Sequence, residues 1–376
     1  MAQKRIQPTL ITKQADLGRV VEKLRTQPIV AVDTESNSLF AYREQVCLIQ
    51  FSIPGSDYLV DPLALEDISA LGKIFSHPKI EKVFHAAEYD LLTLQRDFGF
   101  SFKNLFDTMA AARILGRKQV GLGSLLKDEF GVELEKKYQR ANWGKRPLPK
   151  PMLEYASLDT HYLIRLRNLL AAALEKKKRW PIAKEDFSRL TQVNGKPPEP
   201  HGVDVWRVSG VYDLKPQQVT ILKYLAEYRE ERAKSLDRPL FKVIGDRTLV
   251  AIAEKSPKTI EELSELPGMT PGQVRRHGKA MLQAVSEGKN DAPTKRPRNN
   301  YIDDRIINLI EALRNWRKQK ARKIGVESDI VLPRDVMEKI GHALPESKEA
   351  LAELMKAVPW RFQEYGDQIF QITQDF

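Results

Sequence analysis

The C-terminal half of this chain carries one pattern twice, and that repeat limits its possible folds more than any other feature. At a shift of 88 residues Leu225 falls on Leu313, Tyr228 on Trp316, Arg229 on Arg317 and Ala233 on Ala321. The register runs on without a gap through Val243 and Val331, Ile252 and Ile340, Leu263 and Leu351, and Leu266 and Leu354, to Gly278 and Gly366. Apolar positions held in phase over such a distance mean one supersecondary unit used twice. Strand signals almost vanish across both copies, so each is expected to be all-α.

The first half reads differently. PIVAV at 28–32, VCLIQFSI at 46–53, DYLV at 57–60 and IEKVF at 80–84 are short apolar or β-branched runs, separated by turn signals such as PGSD. Helical patterns fall at 15–27, 64–76, 88–98, 107–115, 121–130 and 151–178. Three neighbouring strands, then a helix before a fourth, predict a mixed sheet flanked by helices. Polar, proline-bearing text at 192–202 and 286–300 reads as linker. The expected division is an α/β domain at 1–191, a linker at 192–213, a helical domain at 214–286, a linker at 287–300 and a second helical domain at 301–376.

Composition removes several classes. With 376 residues, 42% hydrophobic and 30% charged, the chain can build two or three cores and is not wholly disordered. No apolar run approaches the roughly 20 residues of a membrane helix, and the opening MAQKRIQPTL lacks the apolar core of a signal peptide. Cys47, the single cysteine, excludes an internal disulfide, and it reads as a small core residue in an apolar strand. No Cys/His cluster has zinc spacing. A cytoplasmic, monomeric protein that makes no use of a membrane is expected. The net charge of +11 suits a polyanionic partner.

Between Arg113 and Lys150 ten basic residues face four acidic ones. There Lys136, Lys137, Arg140, Lys145 and Arg146 mix with Tyr138 and Trp143. The stretch reads either as a solvated loop whose Trp143 caps the core, or as a nucleic-acid contact through Lys145, Arg146 and Trp143. A second basic run, Arg314 to Lys323, lies on a predicted helix and reads as a solvated face.

Chemistry concentrates on carboxylates. In IVAVDTES, at 29–36, an apolar strand runs into Asp33 and Glu35, whose i,i+2 spacing puts both side chains on one face. Two such acids at the end of a buried strand repel and lose hydration unless a cation compensates, and oxygen donors suit Mg²⁺ or Mn²⁺. The alternative is a strand that ends in water. HAAEYDLLTL then places Asp90 near the start of a helix, and MLEYASLDTHYL places Tyr155 and Asp159 one helical turn apart. His85 reads as a strand-end residue satisfying backbone groups, and Asp107 as a helix N-cap.

Asp33-x-Glu35, Asp90 and Tyr155-x-x-x-Asp159 together resemble the three motifs of the DEDDy 3′–5′ exonucleases, within the ribonuclease-H-like superfamily. VDTES, HAAEYDL, DTMAAARILG at 107–116 and the region Trp143 to Pro147 are similar to bacterial ribonuclease D. In that family an α/β catalytic domain precedes HRDC domains, helical nucleic-acid-binding modules, and the doubled unit resembles two of them. The resemblance implies that Asp33, Glu35, Asp90 and Asp159 hold two divalent ions, Mg²⁺ or Mn²⁺, while Tyr155 orients the attacking water. It implies a 3′–5′ exoribonuclease that releases nucleoside 5′-monophosphates from RNA with a single-stranded 3′ end, such as tRNA precursors. A DNA exonuclease and a non-catalytic nucleic-acid-binding protein are the alternatives. One departure stands out: the second copy reads Leu354-Met355-Lys356 where the first has Leu266-Pro267-Gly268.

Overall fold

The short apolar runs assemble into one six-stranded sheet in a computed structural model, which describes residues 7–192, 203–297 and 303–376. Its strands are β1 (Thr9–Ile11), β2 (Ile29–Ser36), β3 (Val46–Ile53), β4 (Ser56–Val60), β5 (Glu81–Phe84) and β6 (Leu105–Asp107), in the order β1-β4-β3-β2-β5-β6. β2, β3 and β4 form an antiparallel meander; β1 joins β4 in parallel, and β5 and β6 extend β2 in parallel. Ile49 and Phe51 of β3 face the main core, whereas Leu48, with Leu59 of β4, faces a smaller one around Trp143, Leu148, Met152 and Ala156. Cores on both sides explain why β3 reads as one continuous apolar run.

Helices α1 (Gln14–Arg25), α2 (Gly72–Phe75), α3 (Glu88–Phe98), α4 (Thr108–Ile114), α5 (Leu122–Phe130), α6 (Lys150–His161), α7 (Leu163–Lys176) and α8 (Trp180–Leu190) complete this domain. Two predicted helices need correction. The one at 64–76 survives only as α2, preceded by a 3₁₀ turn at Ser69–Leu71. Asp61 and Asp67 accept the backbone N–H groups of Leu63 and Ser69 at 3.0 and 2.7 Å, a local bonding pattern that competes with helix. The one at 151–178 divides at Tyr162, because its halves bury against different cores. Met152 and Ala156 of α6 enter the smaller core, while Leu163, Leu166, Leu170 and Leu174 of α7 enter the main one.

The repeat is kept to the residue. The first module has α9 (Pro216–Leu236), α10 (Leu240–Val243), α11 (Asp246–Lys255), α12 (Ile260–Ser264) and α13 (Pro271–Asn290). The second has α14 (Asp304–Ile324), α15 (Ser328–Val331), α16 (Arg334–Ala343), α17 (Lys348–Leu354) and α18 (Pro359–Thr373), each starting 88 positions after its counterpart. Interior bonds repeat too: Arg229 donates to the Ile244 carbonyl at 3.2 Å, and Arg317 to that of Leu332 at 2.8 Å. Arg317 is thus turned inward, not part of a solvated face. Tyr228 meets His277 edge-on as Trp316 meets Tyr365. The modules differ at the departure noted in the sequence. Gly268 turns the first copy with φ of +85°, whereas the second extends α17 to Leu354 and buries Met355.

Residues 203–213, expected as linker, belong to the first module, since Val205, Val208 and Val211 are buried in its core. Residues 193–202 of that linker and 298–300 of the second lie outside the described residues, and the second, expected from 287, starts later because α13 runs to Asn290. Contacts group the chain into two units that do not follow sequence order. One holds residues 7–36, 46–192 and 303–376; the other holds 37–45 and 203–297. The second unit thus includes the loop after β2, whose Tyr42 hydroxyl donates to Glu230 and whose Phe40 ring carries the Lys242 ammonium at 3.9 Å.

In the first unit the second module docks on the α/β domain through buried charge. Arg361 is 0% exposed; its guanidinium pairs with Glu185 and Asp186 and donates to the Ile330 carbonyl at 2.8 Å. Glu185 also accepts the Trp360 N–H at 2.8 Å, so one carboxylate serves both the arginine and the amide end of α18. Gly116, with φ of +78°, lies so close that an added Cβ would collide with the Gly325 carbonyl oxygen.

Candidate active site

β2 carries Asp33 and Glu35 on the face that α6 covers, and α6 supplies Tyr155 and Asp159. The last turn of α6 is fastened by polar contacts. Thr160 and Ser52 share a hydroxyl bond of 2.6 Å, Ser52 donates to the buried Asp57 at 2.6 Å, and His161 Nδ1 meets the other Asp57 oxygen at 2.8 Å. Asp159 sits next to these anchored positions. Its carboxylate converges with those of Asp33 and Glu35: one oxygen from each lies within 4.8 Å of the others.

Asp90 approaches differently. It lies in the first turn of α3, 7% exposed, and its Oδ1 accepts the Thr34 hydroxyl. Thr34 alternates with Asp33 and Glu35 along β2 and so points to the opposite face. The structure therefore gathers three acids in one cluster and holds the fourth beside them through Thr34, a partner that sequence reasoning misses. Asp90 is still near enough to raise the pKa of both Asp33 and Glu35.

The electrostatics are those of a site built for positive charge. Burial first, then Asp90, Asp159 and Glu35, hold Asp33 well above the usual carboxylate range. Glu35 is raised well above it by burial and by Asp159 and Asp90. Burial pushes Asp90 and Asp159 up to about 7. No Lys or Arg is among the causes of these shifts for any of the four. Three converging hard oxygen donors, destabilised as anions and with no Lys or Arg among the described residues offsetting them, fit a divalent metal ion.

Tyr155 is clamped by aromatic neighbours: Tyr138 edge-on at 5.7 Å and Trp143 tilted at 6.2 Å between centroids. Burial and the three acids raise its pKa further above the ordinary tyrosine range. A phenol so placed keeps its proton and can orient a water but is a poor base.

The basic–aromatic loop needs correction. Trp143 is 1% exposed and packs in the smaller core, so its indole is not offered to a base. The Arg146 guanidinium binds Asp61 through two bonds of 2.6 and 2.7 Å and donates to the carbonyls of Trp143 and Cys47. Both residues hold the loop, and through it Tyr155, against the sheet; Lys145 remains exposed. His85 Nδ1 lies 2.9 Å from the Thr108 hydroxyl, a side-chain partner in place of the backbone group expected. Asp107 caps α4 by accepting the Ala110 N–H at 2.9 Å.

The comparisons with known proteins agree with this fold. A 3′–5′ exonuclease family model matches residues 8–175, and the HRDC domain model matches twice, at 218–285 and 307–373. Ribonuclease D of Gluconacetobacter diazotrophicus is 30% identical over 75% of this chain and 72% of its own. The chain belongs to the ribonuclease D family. Ribonuclease D of Pseudomonas paraeruginosa is 28% identical over 97% of each chain. The crystal structure of Escherichia coli RNase D covers 99% of this chain and all of its own, with a TM-score of 0.71 at 24% identity, and so shows the same fold. The RRP6 catalytic core of Trypanosoma brucei, 27% identical, covers 78% of this chain and 83% of its own with a TM-score of 0.69. The ribonuclease D architecture expected from the sequence, a mixed-sheet exonuclease domain followed by two HRDC domains, is the one found.

Proposed function

We propose that this protein removes nucleotides one at a time from the 3′ end of RNA, with tRNA precursors as its substrate class, and releases nucleoside 5′-monophosphates. The observation that carries the reading is the convergence of Asp33, Glu35 and Asp159 in a half-buried cluster beside the buried Asp90. Asp33, Glu35 and Asp159 would hold one divalent ion, Mg²⁺ or Mn²⁺, and Asp90 would help hold a second. Such a pair, when bound, supplies an activated water and stabilises the departing 3′-oxygen. Tyr155 keeps its proton and orients the attacking water, in the position its two aromatic neighbours fix.

A separate observation supports a polyanionic substrate. The first HRDC domain has a 210 Å³ pocket lined by Arg232, Arg238, Lys242, Arg276 and His277, with no acidic residue among its lining. Burial, then Arg276 and Arg232, lower the His277 pKa, as expected where positive potential accumulates. We assign this pocket to backbone phosphates of the RNA. Charge reversal at Arg276 is expected to weaken RNA binding and flatten its salt dependence by roughly one unit of slope. An unchanged slope would remove the pocket from the binding surface.

Among the described residues no helix is long and apolar enough to cross a membrane. A cytoplasmic location and a monomeric state are part of the proposal, and sedimentation at assay concentration tests the monomer.

The central test uses 5′-labelled RNA and a matched DNA with Mg²⁺ or Mn²⁺. A ladder shortening from the 3′ end of the RNA is expected, faster than for DNA and lost in Asp33→Ala. Tyr155→Phe is expected to lower kcat about 10²-fold with little change in KM. Full activity in Asp33→Ala would refute the assignment.

A further inference from the structure

Gln50 is a side chain next to the acidic cluster whose placement the fold itself does not explain. It lies in the middle of β3, is 0% exposed, and neither its Oε1 nor its Nε2 has a hydrogen-bond partner among the described residues. A buried amide with both ends unmet is a standing cost to folding, and most such groups in folded proteins are bonded. Its polar neighbour on the same strand face shows the contrast: Ser52 bonds both Thr160 and Asp57.

The register fixes what Gln50 faces. β2 and β3 are antiparallel with Asp33 directly opposite Gln50, so the two side chains project from the same face of adjacent strands. On the other flank Gln50 is opposite Leu59, which offers nothing polar. The face is the one covered by α6, where Glu35 and Asp159 complete the cluster with Asp33. Asp33 draws on the Thr34 backbone amide, and no side-chain donor serves its carboxylate among the described residues. A fully buried donor without an acceptor thus stands across from a carboxylate without a side-chain donor.

We propose that Gln50 is a positioning residue for the metal site: its amide N–H donates to the Asp33 carboxylate when that group turns to a bound cation. Carboxylates that ligate a metal are generally oriented by a hydrogen bond on the oxygen side away from the ion. The unmet amide is then a site preorganised for the loaded state, at the expense of the empty one. The inference rests on the reading of Asp33, Glu35 and Asp159 as metal ligands.

The test is Gln50→Met, which keeps the length and volume of the side chain and removes both polar atoms. Three quantities are measured on the full chain: the metal-free melting temperature, Mn²⁺ affinity by titration calorimetry, and RNA degradation across a range of Mn²⁺ concentrations. We expect a metal-free melting temperature unchanged or raised, Mn²⁺ affinity lowered about 10- to 100-fold, and a rate that recovers when Mn²⁺ is raised. A raised melting temperature with unaltered Mn²⁺ affinity and turnover overturns the proposal. So does a lowered melting temperature, which would make Gln50 a support of the fold. If wild-type protein binds no Mn²⁺ that Asp33→Ala removes, the metal-site reading fails. If wild type binds and Gln50→Met binds equally, only the role of Gln50 does.

Discussion

Asp159→Asn is expected to raise the melting temperature of the metal-free protein at pH 8 and at the same time to abolish nuclease activity. Burial pushes the Asp159 pKa up to about 7 in the folded protein, against an ordinary value near 3.8. Below about pH 4 both the folded and unfolded chains hold the proton, and the stability tied to it is fully present. As pH rises toward 7 the unfolded chain ionises first and that stability is lost; above 7 the folded cluster must carry the charge as well. Asparagine keeps the shape of the protonated acid without this penalty, and a gain of roughly 4 °C is the scale to expect for a domain of this size. Mn²⁺ should stabilise the wild type and not the variant, and activity should drop at least ~10³-fold because a proposed metal ligand is gone. By the same sign, wild-type activity should fall as pH drops below about 7, where protons compete with metal for Asp90 and Asp159. A variant that melts lower without metal would show that the carboxylate supports the fold, contrary to this account.

Glu185→Ala is expected to be the most destabilising single change considered, at about 3–5 kcal/mol. It leaves the Arg361 guanidinium buried beside Asp186 alone and strips the α18 amide of Trp360 of its acceptor. The double variant Glu185→Met with Arg361→Met should recover much of that loss, since matched apolar residues carry no unpaired charge. Urea unfolding of the two single variants and the double variant measures the coupling. A loss below about 1 kcal/mol for Glu185→Ala would mean the ion cluster does not secure the second HRDC domain.

Much of this molecule is legible in its amino-acid sequence wherever the signal is local or periodic. The 88-residue register predicts the start of every helix in the second module from its counterpart in the first. Alternation along β2 puts Asp33 and Glu35 on one face, and the one-turn spacing puts Tyr155 beside Asp159. What escapes the sequence depends on partners distant in the chain. β1 and β6, three residues each, are too short to show a period. The division of one predicted helix at Tyr162 follows from two cores that only the folded sheet creates. Trp143 and Arg146 resemble a nucleic-acid surface because composition does not reveal that Asp61 and the Cys47 carbonyl stand ready to receive the guanidinium. Thr34 and Gln50 give no signal at all, as a polar residue in a strand pattern does not announce which carboxylate it will face.

Manganese anomalous diffraction from crystals of the wild-type and Asp159→Asn proteins tests the metal site most directly. A wild-type peak enclosed by Asp33, Glu35 and Asp159 is expected, and its loss in the variant. Carboxylates that stay empty at saturating manganese, or a peak that persists without Asp159, would contradict it.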